Sequence, residues 1–88
     1  MRLDRYLAGA RMLKSRSLAK TAADRGLVHV NAVQAKPAQA IRPGDIIEID
    51  IPRFYKKIKV IALPAKNMKK SACSTLYELL ELRPKELI

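Results

Sequence analysis

The run Ile47-Glu48-Ile49-Asp50-Ile51 alternates apolar and acidic side chains without a break. A period of two predicts a strand with one face buried and the other in water. Pro52 stops the run, since proline cannot donate to a sheet ladder. Lys57-Ile58-Lys59-Val60 then resumes the alternation with cations where the first run has acids. Laid antiparallel, the two runs match charge to charge when Asp50 faces Lys57, Glu48 faces Lys59 and Ile49 faces Ile58. This register makes Lys57 and Lys59 partly structural and puts Lys56 on the alternate face, freer to meet a ligand.

The residues before this hairpin read differently. Leu3, Tyr6, Leu7 and Ala10 fall within an arc of about 100° on a helical wheel, which predicts a short helix over residues 3–10. Arg2 and Arg5 flank the arc on one side, Asp4 and Arg11 on the other, and Asp4 in the first turn suits the helix dipole. Ser15 or Ser17 can cap a second helix to about Arg25, with Leu18, Ala19, Ala22 and Ala23 as its apolar face. These side chains are mostly small, so the first helix is expected to pack close to them. Gly26 is placed to end the helix in a left-handed conformation. Leu27 to Asn31 alternates like a strand, Asn31-Ala32 reads as its turn, and Val33 to Lys36 returns until Pro37 stops it. Pro43-Gly44 fits the centre of a type II turn.

After the hairpin, Pro64, Lys66, Lys69 and Lys70 mark a basic linker. Leu76, Leu79 and Leu80 form a helical stripe over Thr75 to Leu82, with Thr75 and Glu78 as a capping box. Two helices, several short strands and a helix make the class α+β: two short helices packed on a small antiparallel sheet, plus a short C-terminal helix. With 88 residues, one domain is expected. Residues 1–63 form its main part, and residues 64–88, linker and helix, belong to the same small unit. No apolar stretch approaches bilayer length, the first residues lack a signal-peptide pattern, and the lone Cys73 fits a reducing cytosol.

The chain carries 18 Lys and Arg against 8 Asp and Glu, a formal net charge of +10. The excess is concentrated: residues 1–36 balance to +6 and residues 53–70 to +7, whereas residues 37–52 and 71–88 are slightly acidic. Two basic blocks on one small domain point to nucleic acid rather than to simple solvation. Catalysis is poorly served. His29 reads as a surface or edge histidine and Cys73 as a small packed residue. Glu48 and Asp50 are answered by lysines, and Asp45 suits a turn. No zinc cluster or glycine-rich phosphate loop is present, so neither metal, cofactor nor enzymatic activity is expected. Arg2, Arg5, Arg11, Lys14, Arg16 and Lys20 come instead from two short helices and the turn between them. Arginines can fork onto phosphate oxygens, and the Ser15 hydroxyl and helix-start N–H groups add donors. Such a surface reads phosphates and shape, which suits A-form RNA. Tyr6, Phe54, Tyr55 and Tyr77 form no interleaved stacking platform.

The succession Met1-Arg2-Leu3-Asp4-Arg5-Tyr6-Leu7, Lys14-Ser15-Arg16-Ser17-Leu18-Ala19, Gly26-Leu27-Val28-His29-Val30-Asn31, Lys36 and Pro43-Gly44-Asp45 resembles the S-four (alpha-L) RNA-binding domain over about residues 1–51. The family usually has Asn-Gly where this chain has Asn31-Ala32, which bears on the turn geometry and not on the fold. The module also occurs within pseudouridine synthases and tyrosyl-tRNA synthetases. A stand-alone module with a basic strand and a short tail looks like the heat shock protein fifteen and RqcP group, and its brevity favours the RqcP branch. That resemblance implies a cytoplasmic factor of ribosome-associated quality control. It would bind large ribosomal subunits obstructed by peptidyl-tRNA, touch large-subunit rRNA and the tRNA, and help an RqcH-like factor tail the stalled chain. Carried onto this sequence, Arg2 and Arg16 are the first RNA-contact candidates, followed by Arg5, Arg11, Lys14, Lys20 and Lys36, with Lys56 added from the hairpin. A monomer is expected. The competing readings are an RNA-binding subunit of an RNA-modifying enzyme whose catalytic domain is a separate chain, and a peripheral membrane protein. The lack of a strongly amphipathic Lys-rich helix weighs against the latter.

Overall fold

A computed structural model describes residues 1–64 and 75–85. Two helices come first, α1 (Leu3–Gly9) and α2 (Arg16–Asp24), followed by β1 (Val28–Val30), β2 (Val33–Gln34), β3 (Ile46–Ile51), β4 (Phe54–Val60) and β5 (Tyr77–Pro84). The five strands form one antiparallel sheet in the order β2-β1-β3-β4-β5.

The expected apolar arc of α1 is its buried face: Leu3, Tyr6, Leu7 and Ala10 are all in the core. Ser15 is the cap of α2, its Oγ accepting the Leu18 N–H at 3.1 Å. Ala19, Ala22 and Ala23 are buried as expected, but Leu18 is half-exposed. Arg25 ends the helix and Gly26 follows at φ 76°, the left-handed conformation its position demands. Asn31 and Ala32 close the β1–β2 hairpin with φ of 52° and 67°. Two successive positive values match the mirror-image turn that suits strand twist, so the family's geometry survives the missing glycine. The Pro43-Gly44 turn has Gly44 at φ 96°, with the Asp45 N–H donating to the Arg42 carbonyl at 3.1 Å. The Asp45 carboxylate accepts the Arg42 N–H at 2.9 Å, which accounts for that acid as a turn residue.

The β3–β4 register differs from the sequence expectation by two residues. Ile51 pairs with Phe54 across a turn of only Pro52 and Arg53, so Glu48 faces Lys57, Ile49 faces Lys56 and Asp50 faces Tyr55. Matching charges gave the right faces but assumed a longer turn. Lys57 keeps an acidic partner on β3, whereas Lys59 faces Ile46 there and Glu78 on β5.

The expected C-terminal helix is a strand. β5 pairs with β4 from Tyr77 to Pro84, with a register shift between Lys57 and Ile58 that leaves Leu80 between the paired Leu79 and Glu81. The adjacent leucines that suggested helical spacing therefore fall at a β-bulge, where one extra residue breaks the period of two. Glu78 opposite Lys59 and Glu81 opposite Lys57 extend the cross-strand charge matching to a third strand. The basic linker and Cys73 lie outside the described residues; β5 itself belongs to the same sheet as β1–β4.

One core joins helices and sheet, with Ile47, Ile49, Ile58, Val60, Val28 and Val30 meeting the buried faces of α1 and α2. The chain start is tied down by the segment after β2: the Ile41 N–H donates to the Met1 carbonyl at 2.7 Å and the Leu3 N–H to the Gln39 carbonyl at 2.8 Å. The Tyr6 hydroxyl donates to the Leu76 carbonyl at 3.1 Å, anchoring α1 beside the start of β5. Burial, and secondarily Tyr77, pushes that phenol up to about 12.

Candidate nucleic-acid interface

Asp4 is the one buried charged side chain, 2% exposed, among the described residues. Its carboxylate accepts the Arg5 N–H at 2.7 Å and two bonds from Arg2, Nε at 3.2 Å and Nη2 at 3.1 Å. Arg16 Nε approaches from the start of α2 at 3.5 Å. Burial alone would raise the Asp4 carboxyl, but the Arg5 N–H, the Arg2 hydrogen bonds and the charges of Arg16 and Arg2 outweigh it and hold the group below its ordinary 3.8. Asp4 therefore remains an anion and fixes two guanidinium groups, one from the residue that precedes α1 and one from the first residue of α2. Each is about half-exposed, at 48% and 53%, and so still open to a ligand.

Arg2, Asp4, Arg16, Ser17 and Lys20 line a shallow cleft of about 310 Å³. Arg16 and Lys20 stand one turn apart on α2, and the first N–H groups of that helix open toward the same end. Cations fixed at a helix start suit phosphate oxygens. The structure thus gathers Arg2, Arg16 and Lys20 of the expected set. Arg5 is exposed on α1, donates its backbone N–H to Asp4 and does not line the cleft. Arg11 lies in the interhelix turn at φ 59°. Lys14 and Ser15 lie at the far side of that turn, with the Ser15 oxygen already engaged as the helix cap. Lys36 is exposed after β2 and does not line the cleft.

Lys56 is on the face alternate to Lys57 and Lys59, as expected, but does not line the cleft. It lies on the sheet face that carries the isoleucines, opposite Ile49, with its ammonium 5.2 Å from the centre of the Phe54 ring. Burial lowers its pKa. The tight β3–β4 turn sets Ile49 rather than Ile51 opposite Lys56 without changing its face, and the placement gives the stem an apolar neighbour and the charge an aromatic one.

On the opposite sheet face, acids answer the basic strand. Lys57 sits between Glu48 and Glu81, Lys85 pairs with Asp50, and Arg83 bonds Glu81 at 2.5 Å. Tyr55 donates to Glu48 at 2.5 Å, and that bond, with burial second, pushes its phenol up to about 12. Across β3, β4 and β5 this face is nearly charge-balanced. His29 is half-buried opposite Glu48 and Gln34, an ordinary place for a sheet histidine. Among the described residues no helix is long and apolar enough to cross a membrane.

The residue that sequence reasoning missed is Asp4, assigned only to the helix dipole. Its signal was a lone acid within a run of cations, on the flank of an otherwise apolar helix.

Residues 1–47 match the S4 domain family. The chain is similar to proteins named RQC P-site tRNA stabilizing factor. It is 37% identical to that of Listeria innocua over 92% of this chain and 87% of the relative. It is 34% identical to that of Bacillus subtilis over 92% and 93%. A heat shock protein 15 homolog of Haemophilus influenzae is 33% identical over 89% of this chain and 60% of its own length. Among solved structures, the trimeric heat shock protein 15 of Vibrio cholerae superposes with a TM-score of 0.82 at 30% identity, over 90% of this chain and 80% of that one. None of these names is that of an enzyme. The trimer of that relative conflicts with the expectation of a monomer.

Proposed function

Because the chain belongs to the S4 domain family, we propose that it is an RNA-binding factor of ribosome-associated quality control, acting on large subunits that retain a peptidyl-tRNA. The names of the relatives support the quality-control role. The observation that carries the RNA contact is the cleft in which buried Asp4 holds Arg2 and Arg16 half-exposed beside Lys20. In this reading the helix face grips phosphates of large-subunit rRNA and of the P-site tRNA. Stabilising that tRNA keeps the stalled chain available to an RqcH-like factor that tails its C-terminus. Arg5, Arg11, Lys14, Ser15 and Lys36 extend the contact around the cleft. The role carries with it a cytoplasmic location.

Sedimentation with large subunits tests the reading. The protein should pellet with subunits carrying peptidyl-tRNA more strongly than with vacant ones. Arg16→Ala and Arg2→Ala should lose most of that binding, and more than a Lys66/Lys69/Lys70→Ala triple, because fixed arginines bind bidentately while lysines act as point charges. Equal binding by Arg16→Ala refutes the reading. So does co-purification with a discrete modifying enzyme in place of subunits.

A further inference from the structure

On another side of α2 lies a surface of different chemistry. Leu13, Leu18, Leu27, Ile51, Pro52 and Phe54 line a groove of about 340 Å³ between the interhelix turn, α2 and the β3–β4 turn. Lys14, Arg25 and Arg53 stand in its lining, which includes no acid. Leu18 is 50% exposed on a helix whose other apolar residues are buried. At about 100° per residue, the groove residues Leu18, Thr21, Ala22 and Arg25 centre roughly 140° around α2 from Arg16, Ser17 and Lys20. RNA confined to the cleft of Arg2, Arg16 and Lys20 therefore leaves the groove open, and of the wider RNA-contact set only Lys14 stands in the groove lining.

We propose that this groove docks a protein segment in which a few aliphatic side chains are flanked by carboxylates, so that α2 carries RNA on one side and a protein partner on the other. Charge complementarity selects the occupant: Lys14, Arg25 and Arg53 accept carboxylates, and the aliphatic floor accepts leucine-like side chains. An unstacked nucleotide is less well served, because the floor has one aromatic ring, Phe54, and few polar groups to read a base edge. The assignment is independent of the phosphate cleft and survives if that site proves to bind a different RNA.

The test uses the ¹⁵N-labelled full chain and a blocked synthetic peptide with leucines at helical spacing and glutamates on either side. Amide shifts of Leu18, Thr21, Leu27 and Phe54 should saturate while those near Arg2 and Arg16 stay still. A short oligoadenylate should give the opposite pattern. An Arg25→Glu/Arg53→Glu variant, altered only at exposed positions, should bind the peptide at least tenfold more weakly. That variant should instead accept a peptide with lysines in place of the glutamates. Leu18→Ala should weaken the original peptide several-fold with the fold unchanged by circular dichroism. The proposal is overturned if oligoadenylate moves the groove amides, if peptide shifts spread over the whole cationic surface, or if no saturable shift occurs.

Discussion

Asp4→Asn separates two accounts of RNA binding that otherwise agree. The substitution keeps the side-chain shape and one acceptor oxygen, so the Arg5 N–H bond at 2.7 Å can persist. The other carboxylate oxygen becomes an NH₂ group facing the guanidinium groups of Arg2 and Arg16, donor against donor. A charged hydrogen bond is worth about 1.5–3 kcal/mol. The Arg16 contact, with its cation half-exposed, adds only about 0.2–1 kcal/mol. Relief of the buried charge offsets part of this, leaving a net destabilisation of about 1–3 kcal/mol. For a domain of this size that lowers Tm by about 4–8 °C per kcal/mol. The binding measurement is the sharper one. The substitution raises net charge by one, so a model in which only charge matters predicts tighter RNA binding. If Asp4 instead prearranges Arg2 and Arg16, the freed side chains must be ordered on binding at about 0.5–1.5 kcal/mol each. Affinity should then fall roughly tenfold, measured well below the melting temperature. In an Arg16→Ala background the further loss should shrink. A variant that binds as tightly as the parent refutes the reasoning. The pH dependence follows from the same carboxylate. Its folded pKa is depressed below 3.8, so its stabilisation is present at neutral pH and is lost as pH falls through the folded value. Asp4→Asn should flatten the stability curve at that acid end.

Binding to large subunits should weaken with salt at a log–log slope of roughly −4 to −6, as expected for about five to seven phosphates on a B-DNA scale; a slope near zero excludes a phosphate-dominated contact. Ala32→Gly should stabilise the protein by about 0.5–1 kcal/mol in a denaturant melt, because alanine at φ 67° costs about 1–2 kcal/mol and glycine returns only part of that through its unfolded entropy. Lys57→Glu should place like charges beside both Glu48 and Glu81 and lower stability by about 0.5–2 kcal/mol, partly restored by adding Glu48→Lys. No restoration in the double variant means the observed register is not the one populated in solution.

Local rules made the first half of the chain legible. The α1 arc, Gly26 and both turns follow from spacing and from conformations that few residues tolerate, and each lies where its residues predict, while of the two serines that could cap α2 the structure selects Ser15. The second half depends on partners distant in sequence. Leu79-Leu80 satisfies a helical stripe as well as it satisfies a bulged strand, and only the free edge of β4 decides between them. The β3–β4 register failed for a related reason. Glu48, Asp50, Lys57 and Lys59 can be matched in more than one way, and the turn at Pro52-Arg53 selects the tighter one.

The site was legible in its cations and hidden in its anion. Eight basic residues in the first 36 identify the surface, but their number cannot say which of them are fixed. That depends on Asp4, whose burial is set by the strap of residues 37–41 closing over the chain start, where its own N–H donates to the Pro37 carbonyl at 3.1 Å. A buried carboxylate at the base of a cationic cleft lowers the net positive charge available to RNA. It is favourable for binding only if holding Arg2 and Arg16 in place gains more than one elementary charge of attraction loses. At physiological ionic strength that attraction is screened beyond about 8 Å, whereas arginine geometry at the phosphate is not. Arrangement should therefore outweigh total charge, and the ranking of Arg16 above scattered lysines and the cost of losing Asp4 are two consequences of one physical cause.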